Sequence, residues 1–355
     1  MLGCDTVADS KLSSEKLKSF CITLLRQVDV PEADAEIVAD NLVSADLRGI
    51  ASHGVSRLPI YIKRIQLGLV NPCPRPRVIK ATPTSLLIDG DNGLGQVIGF
   101  KAMNEALALA RAQGQALVGV NNTNHIGIGA YYALQAVRED MIGICLTNAS
   151  AHMAPWGGIK PLLGTNPIAV AVPAGDFPPV VLDMATSIVA RGKILLAAKK
   201  GEKIPLGWAL DKNGNPTEDP NEAIHGSVLP LGGPKGYGLS LMVDILAGVL
   251  TGAFFGGHVP SMTEDFTSKL NEGIFLGAFK VDNFMPVEFF KKRMDQLISE
   301  LKDSPKAPGV VEIFMPGEIE YKCSVERLKA GIPLNEEVRN ELNKLAKSLK
   351  VEEEI

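Results

Sequence analysis

Hydrophobic positions near the start of the chain recur with the spacing of amphipathic helices. After Ser13, whose side chain suits a helix N-cap, apolar residues fall at positions 17, 20, 21, 24, 25 and 28, along one helix face. Pro31 is tolerated in the first turn of a helix and Gly49 suits the end of one, which predicts a second helix between them. The pattern therefore predicts that the protein begins with a helical hairpin.

A different pattern follows residues 70–76, where closely spaced prolines break any regular element and predict a linker. Short apolar runs typical of buried strands then alternate with helical segments. The predicted strands are 86–88, 117–120 and 142–146, and the predicted helices are 100–112 and 130–138. The runs 168–172 and 180–182 follow with no helix between them, which favours an antiparallel hairpin. The expected fold class is α/β with a mixed sheet.

The last part of the chain is predicted to be mainly helical. The predicted elements are helices 187–199, 286–301 and 334–349, a strand at 310–314, and a buried core helix at 239–250. That last run contains Asp244 and is too short for the ~20 residues of a membrane span. The expected divisions are an N-terminal helical part (1–75), a mixed α/β core (76–284), and a C-terminal segment (285–355) that packs back on the helical part.

Composition and charge narrow the choice of partners. The chain has 355 residues, 46% of them hydrophobic and 21% charged, which is typical of a globular protein. Its net charge of -4 gives no basic field for nucleic acid or a membrane, so a small-molecule ligand is expected. The five cysteines are odd in number and widely spaced, and the N-terminus lacks a signal-peptide pattern. We therefore expect a cytoplasmic protein without a disulfide framework.

Common cofactor and catalytic motifs are missing from the sequence. The nearest approach to the dinucleotide-binding GxGxxG motif is GIGAYY at residues 127–132, where Tyr132 replaces the third small residue. The sequence also lacks a GxxxxGK[ST] phosphate loop, a GxSxG esterase motif, and an HExxH zinc motif. These observations exclude Rossmann and P-loop interpretations, and we expect no metal site.

Polar residues are concentrated immediately after the second predicted helix, in the segment RGIASHGVSR at residues 48–57. His53 lies next to Gly54 and can be exposed for proton transfer, while Arg57 could hold a carboxylate. On a helix, these two side chains would face the same way. The alternative is a helix C-cap with a surface histidine and arginine.

Two further polar residues lie at the ends of predicted strands. His125 precedes a predicted helix, at a position where open α/β sheets present ligand groups, but it could also be hydrogen-bonded inside a turn. Asp183 ends an apolar strand, where a buried charge needs a partner. It is either functional or the N-cap of the following helix. The remaining histidines are interpreted as structural: His152, His225 and His258.

Seven segments occurring in order resemble the type-2 malate/L-lactate dehydrogenase family, over about residues 12–345. They are DLRGIASHG at 46–54, NHIG at 124–127, PWGG at 155–158, GTNP at 164–167, LDMA at 182–185, KGYG at 235–238 and PGE at 316–318. The resemblance implies a non-Rossmann, mixed β-sheet core that binds a nicotinamide cofactor and a helical domain built from the N- and C-terminal segments. It further implies a homodimer with its active site between domains.

The resemblance also implies roles for individual residues. Catalysis is expected from Ser52, His53, His125 and Asp183, with His125 preferred over His53 as the proton-transfer group. Substrate contacts are expected from Arg48, Arg57 and Thr165. Cofactor contacts are expected from Asp183, Met184, Ala185, Lys235, Pro316, Gly317 and Glu318.

The implied activity is reversible hydride transfer between NAD or NADP, with NAD preferred, and a small 2-hydroxy acid such as malate or lactate. Within the same family, the alternatives are oxidoreductases of cyclic imines, ureidoglycolate, sulfolactate and diketogulonate. The alternative from a different class is a ligand-binding protein that has kept the scaffold without its activity.

Overall fold

The computed structural model describes residues 11–355. Its strands are β1 (Lys11–Leu12), β2 (Arg77–Thr82), β3 (Ser85–Gly93), β4 (Gln115–Thr123), β5 (Met141–Thr147), β6 (Ile168–Val172), β7 (Val180–Met184), β8 (Ala209–Leu210), β9 (Pro216–Thr217), β10 (Ser227–Val228), β11 (Glu272–Lys280) and β12 (Ile332–Pro333). Its α-helices are α1 (Ser14–Arg26), α2 (Glu32–Leu47), α3 (Leu58–Gln66), α4 (Gly95–Gln113), α5 (Ala130–Val137), α6 (Arg191–Lys200), α7 (Pro220–Ile224), α8 (Pro234–Val243), α9 (Val287–Lys302), α10 (Glu318–Ala330) and α11 (Glu336–Ser348).

The predicted helical hairpin at the start of the chain is confirmed as α1 and α2. The Ser13 side chain accepts a hydrogen bond from the Lys16 amide at 3.2 Å, as an N-cap should. The apolar face of α1 is buried in a cluster that also contains Leu342 and Ala346 of α11. In addition, β1 pairs with β12. Segments from both ends of the described chain therefore share one hydrophobic core, while the domain limits at residues 75 and 284 stay predictions.

The middle of the chain forms a mixed seven-stranded sheet with the order β2-β3-β4-β11-β5-β6-β7. Only β3 and β4 are parallel neighbours within this sheet, and the other pairs are antiparallel. The predicted hairpin is confirmed, because β6 and β7 pair with Ala169 opposite Asp183. This register brings Asp183 to the far end of β7, next to the N-terminus of α5. The mixed α/β class is confirmed.

Two strand predictions need correction. Strand β11 was not predicted, yet it lies between β4 and β5 near the centre of the sheet. Conversely, residues 310–314 are not a strand. The side chain of Val311 is 88% exposed, so this apolar run has no neighbouring strand to pair with and no core to enter.

The helix predicted at 187–199 begins later, at Arg191. The preceding backbone is engaged elsewhere, because the amide of Thr186 donates to the Thr165 carbonyl and the amide of Ile188 donates to the Leu229 carbonyl. Because these hydrogen bonds hold residues 186–188 in a loop, the first helical turn begins only after them. The following helix, α6, ends at Lys200.

The helix predicted at 239–250 exists, but the prediction that it is buried is wrong. It consists of the end of α8 followed by a π-helix, Asp244–Val249. Met242 is 52% exposed and Leu250 is 62% exposed. Asp244, in contrast, is buried and accepts a hydrogen bond from the Gly256 amide at 2.9 Å. The apolar side of this helix therefore faces outward from the described chain.

Among residues 11–355, no helix has the length and apolar character required to cross a membrane.

Candidate active site

The turn after α2 carries the predicted site residues Ser52, His53 and Arg57. A hydrogen bond to Asp46 holds the backbone of this turn in place. Two short 3₁₀ segments, Ala51–His53 and Val55–Arg57, meet at Gly54. The Asp46 carboxylate accepts a hydrogen bond from the Val55 amide at 2.8 Å. A Cβ atom at Gly54 would lie only 2.0 Å from that carboxylate, so only glycine allows this approach.

The segment is thus not one continuous helix, and His53 and Arg57 are not related by helical spacing. Arg57 turns back instead, and its Nε donates to the Ser52 carbonyl at 2.6 Å. The two terminal nitrogens of Arg57 make no hydrogen bond to any other residue in 11–355. They are the pair of donors that can bind a carboxylate in a bidentate manner. The Ser52 hydroxyl lies 2.9 Å from Nδ1 of His53.

His125 lies in the loop between β4 and α5, beside the turn just described. Its ring stacks on that of His53, with 5.5 Å between ring centroids and 26° between ring planes. The loop is pinned at Gly127, whose φ is +78° and whose Cβ position is only 2.1 Å from the Asn41 side-chain oxygen. The structure therefore brings His53, Arg57 and His125 together from segments about 70 residues apart in sequence.

A residue that the sequence analysis missed completes this cluster. The Tyr61 hydroxyl, in α3, lies 2.7 Å from Nδ1 of His125. The Gly127 amide also donates to this nitrogen, at 3.3 Å. Tyr61 follows Arg57 by four residues, so it shares a side of the helical segment with it. That spacing is the one sequence signal by which Tyr61 could have been found.

Burial keeps both histidines of the cluster uncharged near neutral pH. It lowers the pKa of His53 to about 4, and the positive charge of Arg57 lowers it further. The pKa of His125 is also lowered well below its usual value, by burial first and then by His53 and Arg57. A neutral imidazole can accept a proton, which is the first requirement for a general base.

Asp183 lies at the N-terminus of α5 and faces Arg48. Its carboxylate accepts a hydrogen bond from the Ala130 amide at 2.8 Å. The N-cap interpretation is therefore wrong for the helix that follows Asp183, because the helix whose start it binds is α5. Burial raises the pKa of Asp183 to about 6, although the Ala130 amide and Arg48 oppose the shift. Arg48 is also near Glu320.

The other predicted substrate and cofactor residues adjoin the end of β7. The Thr165 carbonyl accepts hydrogen bonds from both the amide and the hydroxyl of Thr186, at 2.8 and 2.9 Å. The Thr165 hydroxyl itself makes no hydrogen bond to any residue in 11–355. The Thr186 carbonyl accepts from the amide of Leu231, which places the start of α8, with the exposed Lys235, close to the DMA segment.

The PGE segment lies beside β7. The Val181 amide donates to the Pro316 carbonyl at 2.9 Å. Glu318, however, is occupied by Lys302, at 2.8 Å, and by Lys322, at 3.0 Å. Partial burial raises the pKa of Glu318, but Lys302, the Met315 amide and Lys322 together outweigh it and lower the value to about 2. The carboxylate of Glu318 is thus a structural partner of two lysines.

His152, interpreted as structural, lines a cavity of about 390 Å³ together with Arg191 and Glu264. Its ring contacts the Arg191 guanidinium at 3.2 Å, and Arg191 also pairs with Glu264 at 3.1 Å. Burial and Arg191 lower the pKa of His152 to about 4. These contacts account for His152 without a part in the histidine cluster.

Comparison with known proteins assigns the chain to a family. Residues 12–343 match the family model of malate/L-lactate dehydrogenases. The chain belongs to this family. Malate dehydrogenase of Pyrococcus abyssi is 45% identical over 349 residues, which cover 96% of this chain and 95% of that protein. The chain is therefore an NAD(P)-dependent dehydrogenase of 2-hydroxy acids.

The solved structure of sulfolactate dehydrogenase from Methanocaldococcus jannaschii is also similar, with a TM-score of 0.90 and 43% identity over 96% of this chain and 98% of that chain. Two further relatives name different cofactors. One is a ureidoglycolate dehydrogenase (NAD(+)) of Escherichia coli strain K12, 38% identical over 87% of this chain and 88% of that protein. The other is a (2R)-3-sulfolactate dehydrogenase (NADP(+)) of Chromohalobacter salexigens, 38% identical over 77% of this chain and 82% of that protein.

The depressed pKa of His53 predicts a pH-dependent contribution to stability. Because the unfolded chain, with a pKa near 6.5, binds this proton more readily than the folded one, with a pKa of about 4, protonation opposes folding. The contribution is complete above pH 6.5 and is lost as the pH falls towards 4. We expect the free energy of unfolding of the wild type to fall more steeply than that of His53→Asn between pH 7.5 and 4.5, measured by urea denaturation. His258→Asn, at an exposed position, is the control, and parallel curves for the wild type and His53→Asn would contradict the assignment.

Proposed function

We propose that the enzyme oxidises a small 2-hydroxy acid, malate first among the candidates, to its 2-oxo acid, and catalyses the reverse reduction. The observation that carries this proposal is the stacked pair of neutral histidines beside the unpartnered terminal nitrogens of Arg57. A proton acceptor and a carboxylate-binding donor pair are the two groups that such a reaction needs from the protein. The malate dehydrogenase relative at 45% identity supports the choice of malate.

In the proposed mechanism, Arg57 binds the substrate carboxylate through its two terminal nitrogens, and the Thr165 hydroxyl adds a further donor. His125 accepts the proton of the substrate hydroxyl while the hydrogen on the same carbon leaves as hydride. Ser52 orients the His53 ring through Nδ1. In the reverse direction, protonated His125 returns its proton to the carbonyl oxygen.

The residues around the end of β7 fit a dinucleotide cofactor. We keep Arg48 among the proposed substrate contacts, because its Nε is buried and has no hydrogen-bond partner within the described chain. Lys235 makes no ion pair with any residue in 11–355, so its ammonium group is available to a phosphate. We assign cofactor contacts to Asp183, Met184 and Ala185, and to the backbone of the PGE segment. The nicotinamide ring, when bound, accepts the hydride.

We further propose that this cofactor binds without the crevice of a parallel Rossmann sheet and that NAD is preferred to NADP. Binding outside a Rossmann crevice is supported by the single parallel strand pair in the seven-stranded sheet and by the missing GxGxxG motif. We propose that the active site lies between the α/β core and the helical part, for which the limits 1–75 and 285–355 remain predictions. The buried thiols of Cys21 and Cys145 are compatible with the cytoplasm, which we propose as the location.

We also propose a homodimer that covers the exposed side of α8 and of the π-helix after it. Apolar side chains more than one third exposed recur there at helical spacing, and they are Leu239, Leu241, Met242, Ile245, Val249 and Leu250. A stripe of this kind on a water-facing helix is typical of a subunit interface.

Substrate identity is tested by following reduced-nicotinamide absorbance with oxaloacetate, pyruvate, sulfopyruvate and a cyclic imine. Each substrate is supplied with NADH and then with NADPH. We expect turnover of the 2-oxo acids, because Arg57 and Thr165 provide donors for a carboxylate. The highest kcat/KM is expected with oxaloacetate and NADH, in line with the proposed malate activity and NAD preference. A cyclic imine as the best substrate would replace the proposed reaction with imine reduction. Cofactor binding without turnover of any of these compounds would support the non-enzymatic alternative.

His125→Asn tests the proton-transfer role. The amide keeps a polar side chain but exchanges no proton near neutral pH, so kcat should fall by about 10²–10⁴-fold while cofactor affinity changes little. His53→Asn is the matched control and should retain more activity. A larger loss in His53→Asn would transfer the role to His53. Equal losses in both variants would mean that the two histidines act as a unit, whose single effects cannot be added.

Met242→Glu and Leu250→Glu test the dimer. A charge in the middle of the apolar stripe should prevent its burial, so we expect these variants to elute as monomers in size-exclusion chromatography with light scattering. Leu328→Glu, at an exposed position on α10, is the control and should leave the dimer intact. A wild-type monomer, or variants that remain dimeric, would contradict this interface.

A further inference from the structure

The hydrogen bonds around Nδ1 of His125 determine which of its nitrogens carries the proton. The Gly127 amide can only donate a hydrogen bond, and it donates to Nδ1 at 3.3 Å. Nδ1 is therefore an acceptor in this arrangement, and the Tyr61 hydroxyl, at 2.7 Å, must donate to it as well. A neutral imidazole has one N–H, so the proton of His125 lies on Nε2.

This tautomer cannot perform the reaction assigned to His125. To accept the substrate proton at Nε2, the neutral ring must carry its own proton on Nδ1, and that N–H needs an acceptor. Gly127 offers only a donor at this point. The Tyr61 hydroxyl is the group in contact with Nδ1 that can either donate or accept.

We propose that Tyr61 is the positioning residue that allows His125 to become a base, because its hydroxyl reverses from donor to acceptor and so stabilises the Nδ1–H tautomer. This inference rests on the proton-transfer role proposed above for His125. In the resulting step, the substrate O–H proton moves to Nε2 and the hydrogen on the same carbon leaves as hydride, which a bound nicotinamide would accept. Nδ1–H stays hydrogen-bonded to Tyr61, and the imidazolium formed later releases its proton to water.

The surroundings of Tyr61 contain a group that can accept its hydroxyl hydrogen after this reversal. When the hydroxyl accepts from His125, its own hydrogen must find another acceptor. The side chain of Gln96 is fully buried beside it, and neither its oxygen nor its nitrogen has another hydrogen-bond partner in the part of the chain that the structure describes. As the site stands, Gln96 lowers the pKa of Tyr61, as a donating amide N–H does, so this amide must turn over to present its oxygen as the acceptor. This exchange gives the buried side-chain amide of Gln96 the hydrogen-bond partner that it otherwise lacks.

Tyr61 itself does not ionise during this exchange. Burial raises the pKa of its hydroxyl above the usual range, more than Arg57 and Gln96 lower it. The hydroxyl therefore only rotates, and no net charge is created in the buried site. A phenylalanine at position 61 would leave Gly127 as the sole partner of Nδ1 and would hold His125 in the Nε2–H form.

The direct test is nitrogen-15 NMR of histidine-labelled protein without cofactor, in the wild type and in Tyr61→Phe. The chain has five histidines, and the His125 signals are assigned by their loss in His125→Asn. We expect a measurable Nδ1–H population in the wild type when L-malate is added, and only the Nε2–H form in Tyr61→Phe. The same tautomer population in both proteins would overturn the proposal, as would a wild type that shows only the Nε2–H form with L-malate.

Kinetics provide the second readout. In Tyr61→Phe we expect kcat to fall by about 10²-fold with KM changed less than about threefold, since the proton acceptor and not the substrate contacts is lost. The loss in kcat/KM should be equal in both directions, because the equilibrium constant of the reaction is unchanged. Gln96→Leu, which leaves Tyr61 in place, should show a smaller loss of the same kind. If both variants retained wild-type kcat, the proposal would fail.

Tyr131→Phe is the matched control, because it also removes a hydrogen-bonded tyrosine hydroxyl, one that donates to Asp40 at 2.9 Å. It should leave both the kinetics and the His125 tautomers unchanged. A loss in Tyr131→Phe equal to that in Tyr61→Phe would indicate general destabilisation. Failure of the proposed function is seen separately, as full activity of His125→Asn, whereas the NMR result concerns the tautomer alone.

Discussion

The buried carboxylate of Asp46 is the interaction on which the candidate site depends. It accepts the Val55 amide at 2.8 Å, and the Asp46 carbonyl accepts from the Arg327 guanidinium of α10 at 2.5 Å. One residue thus connects α2, the turn that carries Ser52, His53 and Arg57, and the C-terminal part of the chain. Burial raises the pKa of Asp46 to about 7 even though these two partners oppose the shift. Any side chain larger than hydrogen at Gly54 would disrupt this contact and displace the turn.

Burial also determines the chemistry of the stacked pair His53 and His125. Burial disfavours an imidazolium, and the positive charge of Arg57 disfavours it further. A substrate carboxylate bound to Arg57 would offset that charge, so the pKa of the neighbouring histidines would rise when substrate binds. An arginine placed here therefore has two effects, holding the substrate and adjusting the basicity of the group that takes its proton.

Local sequence patterns were sufficient to predict the elements that are stabilised by contacts between residues close together in the chain. The Ser13 N-cap and the one-sided apolar spacing after it identified α1, and two apolar runs with a short connection identified the hairpin of β6 and β7. Strand β11 escaped prediction because it contains Gly273 and Gly277, which locally suggest turns. In the fold these glycines allow close packing, since a Cβ at Gly273 would lie 1.7 Å from the Ala247 carbonyl. The apolar residues at 310–314 were predicted as a strand but form none, because no strand lies beside them to pair with.

The sequence by itself determined the α/β class, the family, and the short motifs that contain Ser52, His53, Arg57, His125 and Asp183, since these depend on residue type and spacing along the chain. Only the tertiary structure decided that Tyr61 meets His125, that Asp183 binds the start of α5, and that the apolar side of α8 faces outward. These features join groups that are 53 or 64 residues apart, or depend on which surfaces remain uncovered. Hydrogen-bond direction, burial and the resulting pKa shifts arise from such long-range packing, and for that reason no local pattern contains them.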